Sequence, residues 1–343
     1  PAGGPARAAP ASAAPVSIAA VAERAGVSIA TVSRVVNGVA KKASPATVER
    51  VQAAVAALGY RTMGAGRSLR HGRSRLVALL AANLANPSMA AIAAVAEVAL
   101  RRAGFVMVLC DTHDRPELQD EYLLEMRAQY ARGLVLLGAV ASPVLQQFVQ
   151  AGEPLVFVNR RNPFGGRCHV GIDNRAAGAD VARWLAGQGH ADVAVIHGRL
   201  SSAATAERVQ GFVQAWQGLG QALAPGRVLG LDSLDHLAIG YQGMQGLLQA
   251  GAPPAACFCT SDLIAYGAQR AAAEAGQVAG RDIRFVGFDD SPLNPWVAPW
   301  LHAVRVPYAD YGEAIVRALA GESGDAVLAH ELVLRGAPSA PGA

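Results

Sequence analysis

Between Ser17 and Gly38 the chain carries side chains suited to reading duplex DNA. Ile29, Ala30, Ser33 and Arg34 share one helical face, with Ser28 and Thr31 at its start. An arginine so placed can make the commonest specific base contact, a bidentate bond to guanine, and hydroxyls can bond phosphate oxygens. Ile29 and Ala30 have no such donors, so their readout would be apolar, for example against a thymine methyl. That face works only on a rigid support. Val21, Ala22 and Ala25 recur at helical spacing, Gly26-Val27 interrupts the run, and Ser28 can cap a second helix that buries Val32, Val35 and Val36. Two short helices across a tight glycine-containing turn form a helix-turn-helix, whose second helix fits the major groove. Ser44-Pro45 then reads as an N-cap and a first-turn proline, Val48, Val51, Val55 and Leu58 make an apolar stripe, and Gly59 stops the third helix. Lys41, Lys42, Ser44 and Thr47 lie where phosphates could be contacted.

Charge is divided along the chain. Residues 1–75 hold eleven Lys/Arg against Glu23 and Glu49, a net +9, whereas the whole chain carries +4, so the rest is acidic. A basic head on an acidic body fits a polyanion partner for the head alone. Apolar runs are broken by Asp, Arg, Gly or Pro before reaching membrane-spanning length, and residues 1–15 have no continuous apolar core of the secretory kind. That stretch reads as a disordered leader, and 337–343 as a tail. Cys110, Cys257 and Cys259 sit in apolar runs where cysteine behaves as a small buried hydrophobe, and no His or further Cys near Cys257 and Cys259 completes a metal set; Cys168 is the fourth cysteine. A reduced, cytoplasmic protein without metal or cofactor is expected.

From residue 76 the pattern is short apolar strands alternating with amphipathic helices, in two series. Leu76–Ala82, Phe105–Cys110, Leu134–Leu137, Leu155–Val158 and His169–Ile172 belong to the first. Val193–His197, Arg227–Leu231, Ala256–Thr260 and Ile283–Phe288 belong to the second. Such alternation implies parallel sheets covered on both faces, hence an α/β chain with two doubly wound lobes behind an all-α head. Open α/β sheets bind ligands past the carboxyl ends of their strands. Those ends carry Asn83, Asn86, Ser88, Asn159, Arg160, Arg161, Asp173, His197, Ser261, Asp262, Asp289 and Asp290, which together suit a polar small molecule. Trp296 and Trp300 follow, where an indole could stack on a sugar or lie buried between lobes. Leu301–Val306 is expected to cross back to the first lobe, and Glu331–Arg335 to add a strand to the second.

Val21-Ala-Glu-Arg-Ala-Gly-Val-Ser28 and Thr31-Val-Ser-Arg-Val-Val-Asn-Gly38 resemble the DNA-binding head of the lactose-repressor (LacI/GalR) family. The resemblance continues through Asn86-Pro87, Val170-Gly-Ile-Asp-Asn174, Gly189-His190, Glu207-Arg208-Val-Gln-Gly-Phe212, Thr260-Ser-Asp262 and Val286-Gly-Phe-Asp-Asp-Ser-Pro292, covering about residues 16–336. It implies a head over 16–60 and a hinge over 61–75. It also implies a periplasmic-binding-protein-like body over 76–336, with lobe 1 at about 76–173 and 306–326 and lobe 2 at about 174–304 and 327–336. In the head, Ser28, Thr31, Ser33, Asn37 and Ser44 are implied phosphate anchors, and Ile29, Ala30 and Arg34 implied base readers. Leu69 stands where the family wedges a leucine into the minor groove. Thr62-Met63 replaces the usual Pro-Asn, and Gly64 and Gly66 each lower helix propensity by about 1 kcal/mol, so residues 61–72 should order only on operator. In the body, Arg208 and Asp289 occupy positions that hold effector hydroxyls or ring atoms, where a guanidinium donates to two oxygens and a carboxylate accepts from two hydroxyls. Asn86, Ser88, Arg160, Asp173, Ser261 and Asp262 complete the implied effector set; Ser261 replaces an amide. The run Asn159–Asn174 is similar to that of galactose-type repressors, which implies a hexose or glycoside.

The partners so implied are palindromic double-stranded operator DNA, a small polar effector and a second copy of the chain, with no membrane. No leucine heptad is seen near the C-terminal residues, so a dimer is expected rather than a tetramer. A two-lobed sugar-binding protein without DNA function is the alternative, and the basic head argues against it. An enzyme of doubly wound fold is a third reading. No Gly-x-Gly-x-x-Gly follows the first strand, no Gly-Lys-Thr/Ser loop occurs, and His113, His190 and His197 are scattered.

Overall fold

The computed structural model describes residues 16–36, 43–60 and 74–335, apart from 167, 252 and 323. The expectations for the leader, for Lys41 and Lys42, for the hinge at 61–72 and for the tail lie outside the described residues, as do Asn37 and Leu69. The chain divides into two compact units, one up to Ser74 and one from Arg75.

The first unit is built from α1 (Ile18–Ala25), α2 (Ile29–Val36) and α3 (Pro45–Leu58). Ser17 caps α1 by accepting from the Ala20 amide, and Gly26 ends it at φ +62°, a left-handed conformation that costs glycine little. Ser44 caps α3 and Gly59 closes it in the same way. The helices meet over Val21, Ala22, Ala25, Val32, Val35, Val51 and Ala54, all buried, with Val48, Val55 and Leu58 at the margin. Seven small side chains make a thin core, so short helices with good caps matter here more than apolar area does.

The second unit holds two six-stranded sheets. The first takes β1 (Leu76–Ala81), β2 (Val106–Asp111), β3 (Gly133–Leu137), β4 (Leu155–Val158), β5 (His169–Ile172) and β11 (Ala326–Leu328) in the order β11-β5-β4-β3-β1-β2, all parallel. Helices α4 (Pro87–Arg102) and α12 (Tyr308–Leu319) cover one face through Ile92, Leu100 and Ile315. Helices α5 (Pro116–Ala128) and α6 (Pro143–Gln150) cover the other through Leu123, Leu145 and Phe148.

The second sheet takes β6 (Val193–His197), β7 (Val228–Gly230), β8 (Ala256–Cys259), β9 (Arg284–Asp289), β10 (His302–Arg305) and β12 (Glu331–Val333), in the order β12-β10-β9-β8-β6-β7. Only β12 runs antiparallel. Helices α7 (Asn174–Gly187) and α8 (Ala203–Gly218) lie on one face, with Phe212 stacked between Trp216 and Phe258. Helices α9 (His236–Gln249) and α10 (Asp262–Glu274) lie on the other, and a single turn, α11 (Asn294–Val297), follows β9. Each pair crosses through facing glycines. A Cβ on Gly178 would lie 2.1 Å from the Arg208 carbonyl oxygen, and one on Gly211 2.0 Å from that of Arg175. Gly240 and Gly267 do the same for α9 and α10.

Two expectations about the return path need correction. His302–Arg305 does not leave for the first lobe; it pairs in parallel register with β9, His302 opposite Val286, and the crossing comes afterwards, ahead of α12. A four-residue run with His and Arg at its ends is a weak strand signal, yet His302, Ala303 and Val304 are buried by the neighbouring strands. The last crossing also falls later than expected: β11 still pairs with β5, so the second lobe resumes only at β12.

Candidate functional site

In the head, α2 presents its N-terminal half outward. Ser28, Ile29 and Ala30 are exposed, with Ile29 at 51 %, and Thr31, Ser33 and Arg34 are half-buried. The Ser28 Oγ accepts from the Thr31 amide at 3.2 Å and lies 2.9 Å from the Thr31 hydroxyl. Ser44 repeats the arrangement with Thr47 at 3.3 and 2.9 Å. Ser28, Thr31, Arg34, Ser44 and Thr47 line one concavity. Two helix N-termini, each with unbonded amides, and one guanidinium make that surface attractive to phosphate. Arg34 lies back along its own helix, its Nε donating to the Ala30 carbonyl at 3.1 Å, with the rest of the fork available.

In the body, a cavity partly open to solvent is lined from both lobes. The first lobe contributes Asn86, Ser88, Asp114, Asn159 and Arg160, all just past strand ends. The second contributes Arg199, Ser202, Thr205, Arg208, Ser233, His236, Thr260, Ser261 and Asp289. Asn86 caps α4 by accepting from the Ser88 amide. Arg208 is held on three sides: Nε donates to Asn174 Oδ1 at 2.9 Å, Nη1 to the Thr260 carbonyl at 2.8 Å, and its Cζ lies 3.5 Å above the Phe288 ring. Such fixing leaves Nη2 to point at a ligand with little entropy to lose. Asp289 lies 3.9 Å from Arg208, and Ser88 of the first lobe lines the cavity beside it. Burial pushes the Asp289 carboxyl up to about 6, against the opposing pull of Arg208 and Ser88. Its backbone sits at φ +106°, and Asp290 follows at +52°, conformations that L residues rarely adopt and that cluster at ligand sites. His236 is lowered to about 4 by burial and by the charges of Arg208 and Arg160, so it is neutral at physiological pH.

Of the eight effector residues anticipated from the sequence, Asn86, Ser88, Arg160, Arg208, Ser261 and Asp289 line this cavity together. Asp173 and Asp262 do not. Asp173 is exposed and caps α7, accepting from the Ala176 amide at 2.9 Å. Asp262 is buried beneath the loop after β9, where its Oδ2 accepts from the Ser291 amide at 2.7 Å and from Asn294 Nδ2 at 3.0 Å. Ser261 is the cap of α10, and its Oγ also lies 2.9 Å from His236 Nδ1. Trp296 and Trp300 stay out of the cavity. Trp296 is 84 % exposed, and Trp300 packs edge-on against Phe285. Asp114, Arg199 and His236 were not anticipated. Asp114 stands past β2 and Arg199 two residues past β6, so the strand-end rule reaches both; His236 opens a helix after a three-residue edge strand and gives no such signal.

Among the described residues no group of three or more His, Cys, Asp or Glu could hold a metal ion, and no helix is long and apolar enough to cross a membrane.

The family described as bacterial regulatory proteins, lacI family, matches residues 17–62, and the one described as periplasmic binding proteins and sugar binding domain of LacI family matches residues 74–290. The transcriptional regulator PtxS of Pseudomonas putida is 30 % identical over 315 residues, 89 % of this chain and 90 % of that protein. The Lac repressor dimer bound to operator and the anti-inducer ONPF superposes with a TM-score of 0.79 at 25 % identity, covering 94 % of this chain and 98 % of that one. The complex of the regulator CelR with cellobiose gives 0.68 at 29 % identity over 93 % and 99 %. With its capped helix-turn-helix and its two-lobed body matched in one continuous chain, this protein belongs to the LacI family of DNA-binding transcriptional regulators and is not an enzyme.

Proposed function

We propose that the protein is a sequence-specific repressor of the cytoplasm that binds a palindromic operator as a homodimer, with its grip on DNA set by a sugar in the cavity between the lobes. Ser28, Thr31, Ser33 and Ser44 contact phosphates, while Ile29, Ala30 and Arg34 read bases. Asn37 and Leu69 keep the roles that their sequence positions imply. Asn86, Ser88, Arg160, Arg208, Ser261 and Asp289 hold the effector. The observation that carries the reading is the cavity itself, because Asn86, Ser88 and Arg160 of one lobe and Arg208, Ser261 and Asp289 of the other line it together. A molecule that touches both linings at once has a different affinity for each lobe arrangement, which is the requirement for control. A second copy covers Leu293, Trp296 and Val297, an apolar face 52 %, 84 % and 59 % exposed in the single chain.

Selection of duplexes from a random pool, followed by fluorescence anisotropy with and without carbohydrates, tests this. A recovered palindrome whose affinity changes with a sugar is expected. Equal weak binding to every duplex at low salt, with or without sugars, would refute it.

A further inference from the structure

The cavity between the lobes is rich in guanidinium donors. Its ionisable lining consists of Arg160, Arg199 and Arg208 against Asp114 and Asp289, with His236 neutral, so the formal balance is +1. The carboxylates are not equally free. Asp114 accepts from Arg160 Nη1 at 2.5 Å and is only 7 % exposed, which leaves Asp289 as the main acceptor offered to a ligand. The guanidinium groups retain capacity. Arg160 uses Nη1 for Asp114 and the Gly138 carbonyl, and Arg208 uses Nε and Nη1. Arg199 has its Nε 2.5 Å from Asp232 and its Nη1 4.0 Å from Asp114, the long edge of an ion pair. Arg160 comes from one lobe and Arg199 from the other, on either side of Asp114. The Ser261 Oγ accepts from the Ile264 amide and lies 2.9 Å from His236 Nδ1, which fixes the imidazole at the cavity wall.

A hydroxyl is donor and acceptor alike; a carboxylate only accepts, and takes paired N–H groups best. Resting on the reading of this cavity as a carbohydrate site, we propose that the effector is a sugar acid, an aldonate or uronate. Its carboxylate is gripped by Arg160 and Arg199 from opposite lobes, and its hydroxyls lie on Arg208 and Asp289. The anion then draws the lobes together by doing from the ligand what Asp114 does weakly across the gap. A phosphate ester offers the same kind of acceptor, but its second negative charge exceeds the +1 of the lining.

The test uses the full chain at pH 7.5, with thermal shift and calorimetry on gluconate, glucuronate and galacturonate beside glucose, galactose and glucose 6-phosphate. The expected result is that at least one acid binds about tenfold or more tightly than its neutral parent, the effect of one charge-assisted pair. Arg199→Met, at a side chain one-third exposed and so tolerant of change, is expected to bring that acid-to-neutral ratio close to one. Arg199→Lys should keep part of it. A neutral parent that binds as tightly as its acid, binding by the phosphate ester alone, or an unchanged ratio in Arg199→Met overturns the proposal. If no acid binds but a neutral glycoside does, the sugar-effector reading stands and this proposal falls; if no carbohydrate binds at all, both fall.

Discussion

Gly178→Ala sets two known effects against each other and has a definite sign. In an unobstructed helix interior, replacing glycine by alanine stabilises by about 0.5–1 kcal/mol, because glycine loses the most backbone freedom on folding. At Gly178 the new methyl would stand 2.1 Å from the Arg208 carbonyl oxygen, where real Cβ contacts essentially never fall below 3.0 Å. Helices α7 and α8 must therefore part by about 1 Å, and overpacking of that order costs roughly 1–3 kcal/mol. The clash outweighs the propensity gain, leaving a net loss of up to about 2.5 kcal/mol, at roughly 2–4 °C in Tm per kcal/mol for a unit of this size. Because the displaced carbonyl belongs to Arg208 itself, the guanidinium shifts against Asn174, Thr260 and Phe288, and effector affinity should fall by about tenfold. Gly246→Ala is the control: that helical glycine is exposed and has nothing within 4 Å of a new Cβ, so Tm should rise by about 1–3 °C. Differential scanning calorimetry and ligand titration of both variants decide the matter. If Gly178→Ala gains stability as Gly246→Ala does and keeps its affinity, the account of how α8 is positioned is wrong.

Arg34→Ala should lose roughly 1–3 kcal/mol of discrimination between operator and scrambled duplex while retaining salt-dependent general binding, as read by competition anisotropy; unchanged selectivity removes Arg34 from the readout. Asp289→Asn should raise the Tm of ligand-free protein at pH 7.5, since the folded carboxyl titrates near 6, above its unfolded value near 4, and burial opposes its charged form. That gain should shrink as pH falls through 6 and vanish below about 4, where both states are protonated in the wild type; a gain independent of pH contradicts the assignment. Trp296→Glu should move the protein from dimer to monomer in analytical ultracentrifugation and weaken operator binding, since a central tryptophan at an interface is worth about 2 kcal/mol or more. A persistent dimer would place the partner elsewhere.

Much of the body was legible because many of its strands are apolar runs and its main helices are longer than any strand. Val193–His197, Leu155–Val158 and His169–Ile172 have the bounds that their apolar composition indicates. The two effector residues that miss the cavity have one explanation. At Ser261-Asp262 and at Asp173-Asn174 the sequence marks a polar strand end, but not which side chain turns back to cap the following helix and which faces the ligand. At the first, Ser261 caps and still lines the cavity while Asp262 braces the loop beneath; at the second, Asp173 caps outward and Asn174 turns in to hold Arg208. His236 escaped notice because it opens a helix behind a short edge strand, so its role comes from lobe geometry that no local spacing encodes.

Strand β11 and helix α12 have a consequence for the order in which the protein is made. The head emerges from the ribosome first with a complete core of its own. The first sheet, begun at Leu76, must wait through the whole of the second lobe for α12 to cover it and for β11 to finish its edge. A nascent chain therefore owns a finished tool for gripping nucleic acid well before it owns the apparatus that restrains it. Any stall in translation past the second lobe releases an unsupervised head, whose binding no metabolite can adjust.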